Sequence, residues 1–141
     1  MTERNVRVVL VAVDLFGAVS AIVGAIGLVA GFMAIPLSVL AGTPFADFTV
    51  PAVLLGVVVG GTALAAAAIG AFGPRPIEAL ASAAAGCVMA GWMVIEVAMI
   101  GLGSWLQPTY FAVGLVMLGL AGLLQWAKAH RTGLGDRSHL A

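Results

Sequence analysis

Charge is scarce in this chain. Only nine per cent of its 141 residues are Asp, Glu, Lys or Arg, against about a quarter in a soluble domain. With 62% hydrophobic residues and a mean hydropathy of +1.17, a water-soluble globule is excluded. The formal net charge is zero, so nothing points to nucleic acid or to an acidic partner. The single cysteine, Cys87, excludes an intrachain disulfide and a CxxC redox motif, and reads as a small buried hydrophobe. Both histidines, His130 and His139, fall near the C-terminal end, so no apolar segment supplies an axial haem ligand or an imidazole metal site. The chain has no Ser/His/Asp set, HExxH, P-loop or glycine-rich dinucleotide motif. No cofactor, metal site or catalytic residue is therefore assigned.

Long apolar runs are what the chain has. A helix needs about 20 apolar residues to cross a bilayer's hydrocarbon core, and four segments reach that length: 8–33, 51–72, 78–100 and 108–127. Turn signals separate the later ones, "GPRP" at Gly73 to Pro76 and "GLGSWLQP" at Gly101 to Pro108. The first run is too long for the apolar region of a signal peptide, so a retained transmembrane helix is expected. The length allows a single integral membrane domain, with 128–141 as a short extension. The expected fold is all-α, a four-transmembrane-helix bundle with a short interfacial helix or lid in the first outer loop.

Orientation follows from the six basic residues. Arg4 and Arg7 precede the first span, Arg75 lies between the second and third, and Lys128, Arg131 and Arg137 follow the fourth. The loops 34–50 and 101–107 have none. The positive-inside rule then puts both termini in the cytoplasm. Trp126 is expected at the inner interface, with Trp105 and Tyr110 at the outer one.

Small residues recur at helical spacing: Gly17, Ala21, Gly24 and Gly27/Gly31, then Gly56/Gly60, Gly61 with Ala65, Gly86/Ala90, and Gly114, Gly119 and Gly122. In lipid no water expulsion drives helices together, so close backbone approach and dispersion must do so. The stripes predict a tight bundle, and they leave open whether some serve a homo-oligomer. The outer loop is apolar throughout, "AIPLSVLAGTPFADFTV". Pro36 and Gly42 suggest the start and end of a short helix, and Thr43-Pro44 a capped further turn.

Two acids fall within spans. Asp14, in the second turn of the first span, is expected to reach headgroup water or Arg75. Glu96, in "AGWMVIEVAMIG", is deeper, roughly 7 Å inside the outer end of its helix at 1.5 Å per residue. An intramembrane acid faces the bundle interior or water, and no basic residue is available outside to pair with it. Helix N-termini are, since spans two and four begin on that side. Trp92 shares its helical face, and Asp47, Gln107 and Tyr110 are polar groups near its depth. Two readings stand. Glu96 is a staple that hydrogen-bonds loop amides or Tyr110, or it lines an outward-facing pocket with Trp92 and Tyr110 for a cation, a proton or an amphipathic ligand.

The stretches "GTPFADFTVPAVLLG" and "GWMVIEVAMIG", with "SWLQPTYFAVGL", resemble small four-span bacterial membrane proteins of the high-GC, actinobacterial type. These have no assigned function, so the resemblance implies the four-span fold and no activity. The chain departs from small multidrug transporters, which also carry an acid in the first span, and from the arginine-rich four-span glutathione-type enzymes. The role expected is non-catalytic: an accessory subunit with a partner membrane protein, or a binder of a lipid or hydrophobic small molecule near Glu96. The alternatives are an oligomeric transporter or channel protomer using Glu96 or Asp14, and a lipid-modifying enzyme with Glu96 as acid.

Overall fold

The computed structural model describes residues 1–137, the side chains as far as Thr132; the Arg137 side chain and 138–141, with His139, lie outside the described residues. Four helices are long and apolar enough to cross a membrane. Helix α1, Glu3–Ala30, begins before its apolar run because Thr2 caps it, its Oγ1 accepting the Asn5 N–H at 3.3 Å. It stops short of Met33 because Gly31 turns left-handed, at φ 72°. Helix α2, Thr49–Phe72, tolerates Pro51 in its first turn, where an N–H has no intrahelical partner. Its stretch Leu54–Gly60 widens into a π-helical turn. Thr62 Oγ1 donates to the Val58 and Val59 carbonyls of that turn at 2.7 and 3.1 Å.

Helix α3 spans Glu78–Ile100 and ends where Gly101 takes φ 75°. Helix α4, Leu106–Arg137, continues well past Ala127, so the segment expected as a short extension is helical as far as it is described. Each helix packs on its neighbour in sequence, and α1 closes the ring against α4. Glu3 meets Arg131 at one end of that last pair, and Phe16 stacks on Tyr110 further along. The two helices are therefore antiparallel.

The interior is small-residue rich. Ala18, Ala21, Ala63, Ala66 and Ala85 surround Val59, Met89 and Met117 in one cluster. Val6, Leu10, Ala79, Ala121 and Leu124 form a second. Bulk goes outward: Val8, Phe16, Leu80 and Val94 are exposed, the reverse of a soluble helix bundle. Helices α3 and α4 come closest, since a Cβ on Gly86 would lie 2.8 Å from the Gly114 carbonyl oxygen. Gly17 accepts the methyl groups of Met117 and Met89, which a Cβ there would meet at 2.7 and 2.8 Å. Gly27 and Gly31 do not act as a pair: Gly27 faces Met33, and Gly31 has nothing within 4 Å. Cys87 is exposed rather than buried, because helical spacing puts it with Leu80, Ala84 and Val94 on the outward face of α3.

The long connection between α1 and α2 contains one 3₁₀ turn, Leu37–Leu40, in place of the short helix expected there. Thr43 closes it by donating from Oγ1 to the Leu40 carbonyl at 2.8 Å. No helix starts at Thr43-Pro44; the next begins at Thr49.

Candidate functional site

Glu96 and Trp92 are brought to one place. They sit a turn apart on the inward face of α3 and line a cavity of about 110 Å³. Opposite them lie Leu28 of α1, Pro51 and Leu55 of α2, and the apolar side chains of the connecting loop, Val39, Leu40, Phe45 and Phe48. The loop thus covers this end of the bundle with apolar side chains turned inward. A cavity of this order, walled by aliphatic and aromatic groups, holds a benzene-sized guest and favours no water without polar partners. Trp92 packs against the core, and its indole Nε1 is buried with no hydrogen-bond acceptor. An unmet donor of that kind costs about 1–3 kcal/mol.

Glu96 Oε1 accepts a hydrogen bond from Gln107 Nε2 at 3.1 Å. Gln107 is itself buried and organises the turn between α3 and α4. Its Nε2 also donates to the Gly101 carbonyl at 3.1 Å, and its Oε1 accepts the Gly103 and Ser104 N–H groups at 3.0 and 3.4 Å. Glu96 is thereby tied to α4 through a side-chain amide, not through loop N–H groups or a helix N-terminus. Gln107 supports the cavity from behind and does not line it.

The remaining expected members lie elsewhere. Tyr110 faces α1, its ring stacked on Phe16 at 6.5 Å between centroids, and does not reach Glu96. Asp47 is exposed and accepts the Thr49 N–H at 2.8 Å, a local turn at the start of α2. That bond, with the side-chain hydroxyl of Thr49, holds the Asp47 carboxyl below the usual carboxylate range. Asp14 meets neither headgroup water nor Arg75. It is fully buried, accepts from Ser82 Oγ on α3 at 2.5 Å, and leaves Oδ1 without a partner. It lies a turn from Leu10 and a turn from Ala18 on the same face of α1, so it forms a polar layer between the two apolar clusters.

Arg75 belongs to a cluster at the opposite end from Glu96, centred on Glu78. The buried Glu78 carboxylate accepts from Arg7 Nε at 2.7 Å and Nη2 at 3.0 Å, and pairs with Lys128 Nζ at 2.6 Å. Arg7 also bonds Glu3 at 2.8 Å, and Arg131 joins Glu3 at 3.1 Å. Arg75 approaches Glu78 only to 3.8 Å. The two acids that organise the ends of α3 share one face. They stand eighteen residues apart, five turns at about 3.6 residues per turn, and roughly 27 Å along the axis. That periodicity was the available signal for Glu78, and it is close to the thickness of a bilayer core, about 30 Å.

By fold and composition the chain is an all-α, four-helix protein of multi-pass membrane type. No protein-family model, curated protein or solved structure matches it.

Proposed function

We propose that the chain is a non-catalytic protein of the bacterial cytoplasmic membrane, with both termini inside, that binds a hydrophobic or amphipathic small molecule or lipid fragment beneath the 31–48 loop. The observation that carries this reading is the apolar cavity of about 110 Å³ that Trp92 lines beside the Glu96 carboxylate. A ligand with an apolar group of about benzene size fits the volume. A donor or cation on the ligand meets the Glu96 carboxylate beside the Trp92 indole ring. Anything larger requires the loop to lift, and the loop's attachment favours that: the side chains it places inward are apolar, and its hydrogen bonds are local. The same site serves an accessory subunit whose partner membrane protein delivers or receives the ligand. The orientation rests on the basic residues, four of which gather at the Glu78 end.

The test is native mass spectrometry of protein taken from its own membranes. A bound mass that disappears in Trp92→Phe and Glu96→Gln, with thermal stability unchanged, supports the reading. Wild-type protein free of adduct, with Glu96→Gln acting only on stability, reduces Glu96 to a staple for Gln107.

A second reading, proton or cation coupling in an oligomer, is favoured by Asp14. It is a fully buried acid with one oxygen unpartnered, and such residues mark ion pathways. Met89 and Met117, pressed on Gly17, separate it from Trp92 and Glu96. Proton flux in proteoliposomes that Asp14→Asn abolishes would establish this alternative. The enzyme reading has the least support, because Glu96 has no second acid beside it.

A further inference from the structure

Among the described side chains, the Glu78 end of the bundle carries more cation than its carboxylates use. Glu78 is saturated by Arg7 and Lys128, at 2.7 and 2.6 Å. Arg75, at 3.8 Å, is too distant for a hydrogen bond, and its guanidinium has no other acceptor among the described residues. Its side chain is 65% exposed. It is not loosely held at the backbone, however. Lys128 Nζ donates to the Arg75 carbonyl at 2.6 Å, and Pro74 and Pro76 flank it with fixed φ. A Cβ on Gly73 would meet the Ile69 carbonyl oxygen at 2.7 Å, so the turn lies tight against the end of α2.

The surroundings of this cation are apolar and open. Phe72, Ile77 and Leu80 are 93%, 43% and 65% exposed, and they bracket Arg75 in the chain. An exposed guanidinium on a fixed backbone, bracketed in the chain by exposed aliphatic and aromatic side chains, matches one chemistry, a phosphate joined to hydrocarbon. Guanidinium pairs with phosphate in bidentate fashion. Free phosphate would leave these apolar side chains uncovered, whereas acyl chains running past the start of α3 cover Ile77 and Leu80.

We infer that Arg75 is the headgroup-binding residue of a site for an anionic phospholipid at the Glu78 end of the bundle. The Glu78–Arg7–Lys128 cluster keeps the neighbouring carboxylate from competing for that arginine. This is independent of the cavity under the 31–48 loop.

The experiment measures the fraction of spin-labelled lipid immobilised by the full chain in phosphatidylcholine bilayers, comparing phosphatidylglycerol with phosphatidylcholine probes. Wild type is expected to prefer the anionic probe by about five-fold, the scale one interfacial arginine supplies, and to lose most of that preference in high salt. Arg75→Gln should bring it close to unity, while Arg4→Gln, an exposed arginine at the same end, should leave it nearly intact. Because Arg75 is exposed and makes no hydrogen bond through its side chain, Arg75→Gln should fold as wild type does, which the unchanged thermal transition checks. Equal immobilisation of the two probes by wild type overturns the site. So does an equal effect of the Arg4 and Arg75 substitutions, which would mean diffuse surface charge. Abolition of the preference by inorganic phosphate at matched ionic strength would assign the site to free phosphate and overturn the lipid.

Discussion

The two ends of α3 solve the same problem differently. At one end Glu78 is buried among cations, and every oxygen has a charged donor. At the other, Glu96 has one neutral amide on one oxygen and a cavity beside it. A buried carboxylate is held either by opposite charge or by hydrogen bonds to neutral groups. Only the first end has arginine and lysine within reach among the described residues, because basic residues of α1, the turn before α3, and α4 converge there. The consequence is a division of labour. The Glu78 end ties α1, α3 and α4 together, and the Glu96 end keeps a cavity of about 110 Å³ beneath the connecting loop.

The largest expected effect tests the first half of this contrast. Glu78→Gln strands Lys128 without a carboxylate and leaves Arg7 only Glu3, and it should destabilise the bundle by about 3 kcal/mol, the lower range for breaking a buried pair, since both cations keep partial exposure. Glu96→Gln should cost under about 1 kcal/mol, because an amide oxygen still accepts from Gln107. Reversible unfolding in mixed micelles compares the two, and equal losses would erase the distinction. Next, Gly114→Ala puts a Cβ 2.9 Å from the Ala90 nitrogen and the Gly86 carbonyl oxygen and should cost about 1–3 kcal/mol by overpacking. Gly119→Ala, with nothing within 4 Å, should be neutral or gain up to about 1 kcal/mol of helix propensity.

Ser82→Ala removes the one partner of Asp14 in the polar layer between the ends and should cost about 1–2 kcal/mol; Asp14→Asn in the same background should recover part of it. The smallest effect belongs to Asp47. Its carboxyl is held below the usual range by the Thr49 N–H, so its contribution is present above the unfolded value, near pH 4, and is lost as pH falls through the lower folded value. Asp47→Asn, a neutral acceptor for Thr49, should flatten that slope and lower the midpoint at pH 7 slightly, to where protonated wild type stands. A thermal melt series from pH 6 to pH 3 reads it out.

Much of the architecture was legible because it depends on local quantities. Run length and the turn signals at Gly73–Pro76 and Gly101–Pro108 delimit helices, and both features act within a few residues. The ends slipped where capping overrode hydropathy, at Thr2 and Gly31, and where α4 ran on through a polar segment. The site was half legible. Trp92 and Glu96 lie on one helical face, so their meeting at a cavity follows from α3 alone. Tyr110 was placed with them by depth, yet depth says nothing of azimuth, and α4 turns that ring toward Phe16. Asp14 was matched to Arg75 by charge, but the inward face of α1 carries it to Ser82 and leaves Arg75 at the rim. Cys87 missed for the same reason, apolar surroundings in sequence being no guide to which face of a helix a residue takes.

The sequence by itself determined four apolar helices and the gathering of basic residues at one end, because backbone hydrogen bonding and hydrophobic run length are settled within each segment. Tertiary structure alone decided which polar groups meet. Those partnerships depend on how each helix is rotated about its axis, and that rotation is set by contacts such as Gly86 on Gly114 and Met89 on Gly17, whose members lie on different helices.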